Sequence, residues 1–188
     1  FKNFYERRAR RILPALFLVI LVSIPFAWKY ALPTSFIDYA KSILYSIGFG
    51  SNFYFYYSGQ LYGAESGLLK PLLHTWSLSI EEQYYILFPL LFFVVYNYFK
   101  NRIIIIVSFI ALLSLLFSEF LSEVNASLNF YILFSRAWEL LVGTLVFLLE
   151  ILRKKKVSIY NNFYILIGLL LIVSSFFLFK DSNGHPNI

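Results

Sequence analysis

The chain has no cysteine and no methionine, two histidines, and charged side chains at only 14% of its positions. Without cysteine there is no disulfide framework, no thiol nucleophile and no cysteine-ligated metal. His74 and His185 are the only imidazoles and no H-E-x-x-H pair occurs, so no metal site is expected. A glycine-rich phosphate loop and a G-x-S-x-G turn are missing too. So little charge beside 60% hydrophobic and 21% aromatic residues excludes an ordinary soluble domain. Because methionine is missing, the chain is expected to be an internal piece of a longer protein, with Asn183–Ile188 a loop cut short.

What is present is a series of apolar runs. They predict spans over about Ile12–Leu32, Thr75–Phe99, Ile103–Leu121, Phe130–Leu152 and Tyr160–Phe179. The expected fold is all-α: a polytopic transmembrane helical bundle of about five spans, read as one domain over 1–188. Pro14 falls near the start of the first span, where proline is tolerated.

The net charge of +6 is concentrated in Arg7–Arg11, Lys100–Arg102 and Arg153–Lys156, each flanking an apolar run. That is the distribution of cytoplasmic loops, with contact to anionic membrane lipids secondary, and it argues against nucleic acid. If all three clusters lie inside, residues 33–74 begin and end outside. The stretch 36–57, interrupted near Gly48 and Gly50 and rich in tyrosine, is then interfacial or re-entrant. Asn125-Ala126-Ser127 fits a glycosylation triplet, a pattern frequent by chance.

Polar residues gather in Leu73-His74-Thr75-Trp76-Ser77-Leu78-Ser79-Ile80-Glu81-Glu82-Gln83-Tyr84-Tyr85, at the mouth of an uncharged run. Adjacent carboxylates there need a protein interior or a wet cavity to face. On a helix His74, Ser77 and Glu81 share a face, and a histidine near a carboxylate can act as a base or orient a hydroxyl. Trp76 is either an interface anchor or a platform for a sugar ring. Arg8 and Arg11 share a helical face and read as topogenic charge or as an anion clamp, since guanidinium forks match phosphate oxygens. Arg136 and Glu139 either neutralise each other at i, i+3 or line a polar path. Asn52 is a candidate polar contact.

Three blocks in order carry a resemblance. They are Phe4-Tyr5-Glu6-Arg7-Arg8-Ala9-Arg10-Arg11-Ile12-Leu13-Pro14-Ala15-Leu16, the Leu73–Tyr85 block preceded by Ser51-Asn52-Phe53-Tyr54-Phe55 and Tyr62, and Arg136-Ala137-Trp138-Glu139-Leu140-Leu141-Val142-Gly143. Together they resemble the membrane-bound acyltransferase-3 family, in particular bacterial O-acetyltransferases of lipopolysaccharide O-antigen, peptidoglycan and related glycans. The resemblance implies a domain of about ten spans in the bacterial cytoplasmic (inner) membrane. Its donor would be cytoplasmic acetyl-CoA, and its acceptor a hydroxyl of a cell-surface glycan or lipid-linked oligosaccharide. It places acyl-CoA handling on Arg8 and Arg11. It puts the polar helix entrance on His74, Trp76, Ser77, Glu81 and Glu82, of which His74, Glu81 and Glu82 are the catalytic candidates. Asn52, Trp76, Ser77, Arg136 and Glu139 become candidates for lining the path. The family's principal catalytic histidine, in an Arg/Lys-x10-His motif, would lie upstream of Phe1.

The rival reading is a proton-coupled transporter or flippase using intramembrane carboxylates as a relay, though no matching pair of broken helices supports it. A purely structural membrane subunit leaves the polar block unexplained.

Overall fold

The computed structural model describes residues 2–61, 67–153 and 166–174, and they are overwhelmingly helical with no strand among them. The chain divides into two compact units, Phe1–Leu87 and Phe88–Ile188. Tyr62, Lys154–Lys156, His185 and much of the expected fifth span lie outside the described residues; within that span 166–174 is helical.

In the first unit α1 covers Lys2–Tyr30. The first expected span is part of a longer helix that also takes in the basic lead, so Pro14 lies inside the helix rather than near its start, and Pro25 is interior too. Interior prolines each forfeit a backbone bond, a loss that membrane helices tolerate when neighbours re-satisfy the freed groups. Pro33 sits in the first turn of α2 (Pro33–Ile47), where its missing N–H costs nothing.

The stretch 36–57 is indeed not one straight helix. It breaks at Gly48–Gly50 and folds back as α3 (Ser51–Gly59), packed on α2. The break is a Schellman turn in all but residue choice. Gly50 N–H donates to the Tyr45 carbonyl at 2.8 Å and Phe49 N–H to that of Ser46 at 3.2 Å. The left-handed position, usually glycine, is Phe49 with φ 52°. Tyr45 and Tyr54 stack across the hairpin at 4.9 Å between ring centres.

The core of this unit is built largely of hydroxyls. Leu16, Ile20, Tyr39, Phe55, Leu72 and Ile80 are buried, and so are Ser42, Ser46, Ser51, Asn52, Thr75 and Ser79. Small polar residues let helix backbones approach closely and hydrogen-bond across the contact, the usual adhesive between helices in lipid.

Helix α4 (Thr75–Phe99) ends in a single 3-10 turn, Lys100–Arg102, that leads to α5 (Ile103–Val124). In the second unit α5 packs on α7 (Leu133–Arg153), with the short α6 (Ala126–Tyr131) between them in sequence. Asn125 is occupied as the α6 cap, its Oδ1 accepting from Leu128 N–H at 2.9 Å. The buried stripe on α5 is Val107, Ala111, Ser114, Ser118 and Leu121. Ser114 Oγ donates to the Phe134 carbonyl at 2.6 Å and accepts from the Trp138 amide at 3.0 Å. Those two groups are i, i+4 partners of a regular helix, and the α5 hydroxyl reaches both.

Two described stretches are long and apolar enough to cross a membrane, α1 and the run Thr75–Val124. The second contains two of the five expected spans. Helix α7, carrying Arg136, Glu139 and Glu150, is not among them.

Candidate active site

The polar block divides between two faces of α4, and the buried face is not the one that carries His74. Thr75, Ser79 and Glu82, at i, i+4, i+7, turn into the first unit, whereas His74, Ser77 and Glu81 are exposed. His74 lies in the turn just before the helix. Seven residues separate it from Glu81, about 10 Å along a helical axis. Ser77 Oγ donates to the His74 carbonyl at 3.2 Å. His74 and Glu81 form no side-chain pair.

Helix α1 meets the buried face at Arg8. Its Nε donates to Glu82 Oε1 at 2.6 Å and its Nη2 lies 3.8 Å from Glu81 Oε2. The guanidinium carbon stands 3.3 Å from the Tyr85 ring centre, and Tyr5 Oη donates to the Tyr85 carbonyl at 3.3 Å. Arg8 is thus held by a charge-assisted hydrogen bond and by a ring face, which fixes its fork. Side-chain exposure is 18% for Arg8 and 12% for Glu82, so the pair is largely removed from water. Arg11, one turn on, is exposed and has no ion-pair partner among the described residues. Arg10 pairs with Glu6 on the surface at 2.7 Å.

Beyond Glu82 the buried face of α4 joins the α2–α3 hairpin through four hydroxyls. Ser46 and Thr75 are 2.8 Å apart, Thr75 donates to Ser51 at 3.0 Å, and Ser51 and Ser79 are 2.8 Å apart. Gln83 Nε2 donates to the Phe49 carbonyl and to Asn52 Oδ1, both at 2.9 Å, which ties α4 to the left-handed turn. Asn52 is fully buried and helps lock the hairpin. The sequence reading passed over Ser46, Ser51, Thr75 and Ser79. Their signal was there: Thr75, Ser79 and Glu82 repeat at helical spacing as regularly as the face that was chosen.

Trp76 is half-buried on α4. Arg136 and Glu139 belong to the second unit and neutralise each other, with Arg136 Nη2 3.1 Å from Glu139 Oε2 and both partly exposed. On the hairpin, Tyr54 Oη donates to the Asp38 carbonyl at 3.0 Å. Burial, and then the nearby Asp38 carboxylate, push the Tyr54 phenol up to about 12. Among the described residues no cluster of three or more acidic or imidazole side chains suits a metal ion.

A buried arginine–carboxylate pair ahead of a hydroxyl-lined hairpin brings the first two sequence blocks together in the first unit. The family model described as an acyltransferase domain matches residues 1–187. The chain belongs to the acyltransferase-3 family. An uncharacterized protein of Haemophilus influenzae is 35% identical over 192 residues, covering 96% of this chain and 77% of its own length. The O-acetyltransferase OatA of Staphylococcus aureus is 29% identical over 191 residues, again across 96% of this chain. The chain spans only 31% of OatA. No solved structure matches. Members of the acyltransferase-3 family are membrane proteins that transfer acyl groups other than aminoacyl groups, in keeping with the apolar surfaces of α1 and α4.

Proposed function

We propose that this chain is part of an integral membrane O-acetyltransferase of the bacterial cytoplasmic membrane. It moves an acetyl group from acetyl-CoA to a hydroxyl of a cell-surface glycan. Family membership supports acyl transfer, and likeness to the S. aureus O-acetyltransferase supports an oxygen acceptor.

The observation that carries the local reading is the contrast between two arginines on one face of α1. Arg8 is immobilised by Glu82 and Tyr85, while Arg11 is exposed with no ion-pair partner among the described residues. A fixed fork beside a free one suits the phosphates of acyl-CoA, because a pre-oriented donor loses less freedom on binding. Glu82 acts through Arg8 and is a positioning residue. His74 and Glu81, on the exposed face of α4 with Ser77, position the acyl group or the acceptor hydroxyl, and Trp76 stands beside them. Transfer requires a base for the hydroxyl proton and donors for the developing oxyanion. The Arg136–Glu139 pair supplies a polar element to the acyl path without net charge.

The test uses membranes carrying the intact protein, supplied with labelled acetyl-CoA, and follows label into surface glycan. Transfer by wild type that falls at least tenfold in Arg8→Ala/Arg11→Ala, and separately in His74→Ala and Glu81→Gln, is expected. Failure to transfer acetyl or longer acyl groups to any glycan pool would overturn the reading in favour of proton-coupled transport.

A further inference from the structure

A cavity of about 500 Å³ opens on the α2–α3 hairpin, within the range of small-molecule sites, about 300–1,000 Å³. Asp38 and Lys41 of α2, Tyr54 and Ser58 of α3, and Lys70 from the segment before α4 are in its wall. Its depth in a membrane follows from α1, which is long and apolar enough to cross one. The apolar run of α1 parts the arginines at one end from Trp28, Lys29 and Tyr30 at the other, about 25 Å from Arg11 to Trp28 along the axis. Trp28 and Tyr30 are exposed, as aromatic anchors at the headgroup level are. Trp28 packs edge-on against Phe36, ring centres 5.4 Å apart, and Phe36 adjoins Ser35 of the cavity wall. The cavity therefore stands at the level of lipid headgroups.

The charges of the described wall residues leave one cation over. Lys41 Nζ pairs with Asp38 Oδ1 at 3.2 Å, whereas Lys70 Nζ donates to the Ser58 hydroxyl at 3.1 Å and has no carboxylate partner among the described residues. Lysine binds phosphate as a point charge. One unbalanced cation matches a phosphodiester, which carries a single negative charge. A phosphomonoester or a diphosphate would bring negative charge in excess, and a zwitterionic headgroup would leave Lys70 unneutralised. Leu61 and Leu69 also line the cavity and are exposed, so apolar side chains flank the charge. A free phosphate gains nothing from them, whereas a lipid tail buries apolar surface there.

We propose that this cavity binds the headgroup of an anionic phosphodiester lipid of the surrounding membrane, of the phosphatidylglycerol class. The phosphate meets Lys70 beside the Ser58 hydroxyl, the glycerol hydroxyls lie toward Asp38 and Tyr54, and the tails leave over Leu61 and Leu69. The lipid thereby bridges the hairpin and the turn in which Leu73 N–H donates to the Lys70 carbonyl at 3.1 Å, immediately ahead of His74. The site is separate from Arg8 and Arg11. It does not rest on the acetyltransferase reading, since it fills with neither acyl donor nor acceptor present.

The test releases the intact protein from nanodiscs holding equal amounts of phosphatidylglycerol and phosphatidylcholine, and counts the retained lipid by native mass spectrometry. Wild type is expected to keep phosphatidylglycerol in preference to phosphatidylcholine. Retention should fall about fivefold in Lys70→Ala, the worth of one lysine at an anionic surface, and return in Lys70→Arg. Lys100→Ala, which removes a cation from the turn after α4, should retain the lipid as wild type does. All variants should melt with wild type in phosphatidylcholine alone. Undiminished retention by Lys70→Ala, equal loss in Lys100→Ala, or no preference over phosphatidylcholine would overturn the proposal. Displacement by inorganic phosphate or glycerol 3-phosphate would overturn it in favour of a soluble ligand. A lower melting point of Lys70→Ala in phosphatidylcholine would overturn it too, because Lys70 would then hold the fold and not a lipid.

Discussion

Arg8 Nε and Glu82 Oε1 lie 2.6 Å apart across 74 residues of chain, which makes them the polar anchor between α1 and α4. Removing one partner strands the other charge away from water. Arg8→Ala and Glu82→Ala are each expected to lower unfolding stability by about 3 kcal/mol. The double variant should lose clearly less than the sum, measured by thermal or denaturant unfolding in detergent. Additive losses would show that the pair carries no coupling.

His74 and Glu81 behave oppositely. Both are exposed, so His74→Ala and Glu81→Gln should unfold within about 0.5 kcal/mol of wild type. Loss of acetyl transfer with unchanged melting assigns them to chemistry or substrate placement.

The hydroxyl chain gives a third expectation. Ser51 touches both Thr75 and Ser79 in a site closed to water. Ser51→Val removes one hydrogen bond from each, leaving Thr75 the Ser46 hydroxyl and Ser79 the backbone amide at position 51, and should cost about 1 kcal/mol, whereas Ser77→Val on the exposed face should cost little. Equal melting points for the two variants would deny the network a structural role.

Phe49 holds a backbone conformation that favours glycine. Phe49→Gly should melt at or above wild type, since the left-handed strain of about 1–2 kcal/mol is relieved at the expense of a half-buried ring. Phe49→Val keeps the strain, adds β-branching and should melt lower. A destabilised Phe49→Gly would show that the ring outweighs the backbone.

Tyr54 predicts an alkaline effect. Its folded pKa of about 12 exceeds the ordinary 10, so the fold favours the neutral phenol. The resulting stability is complete below pH 10 and is lost as pH climbs through 12. Melting of wild type and Tyr54→Phe compared from pH 8 to 12 should show a constant difference up to about 10, then a steeper decline in wild type. Parallel curves throughout would place the perturbed phenol elsewhere.

Much of this was legible before any coordinates. α4 begins at Thr75 as the apolar run predicts, and glycines mark the break in 36–57. Less legible was which side of α4 is buried. His74, Ser77 and Glu81 are as regularly spaced as Thr75, Ser79 and Glu82, and periodicity defines faces without ranking them. What settles the matter is size: hydroxyls pack tightly against Ser46 and Ser51 where an imidazole would not fit. Arg8 and Arg11 also read alike in sequence, and only the arrival of Glu82 and Tyr85 makes one fixed and the other free. Arg136 and Glu139 stood open between mutual neutralisation and a site, and geometry shows them paired. Pro14, expected near the start of a span, lies inside α1 instead, because neighbouring helices can excuse a defect that local rules penalise.

Glu82 and Gln83 are consecutive on α4, yet they hold different neighbours, the first gripping α1 through Arg8 and the second gripping the hairpin at Phe49 and Asn52. One turn of α4 therefore works as a yoke. An anion that drew Arg8 from Glu82 would unload one side of that turn while Gln83 and the hydroxyls of Thr75 and Ser79 still hold the other. The arginine of α1 and the left-handed turn at Phe49 thus share a single turn of α4 as their common mooring.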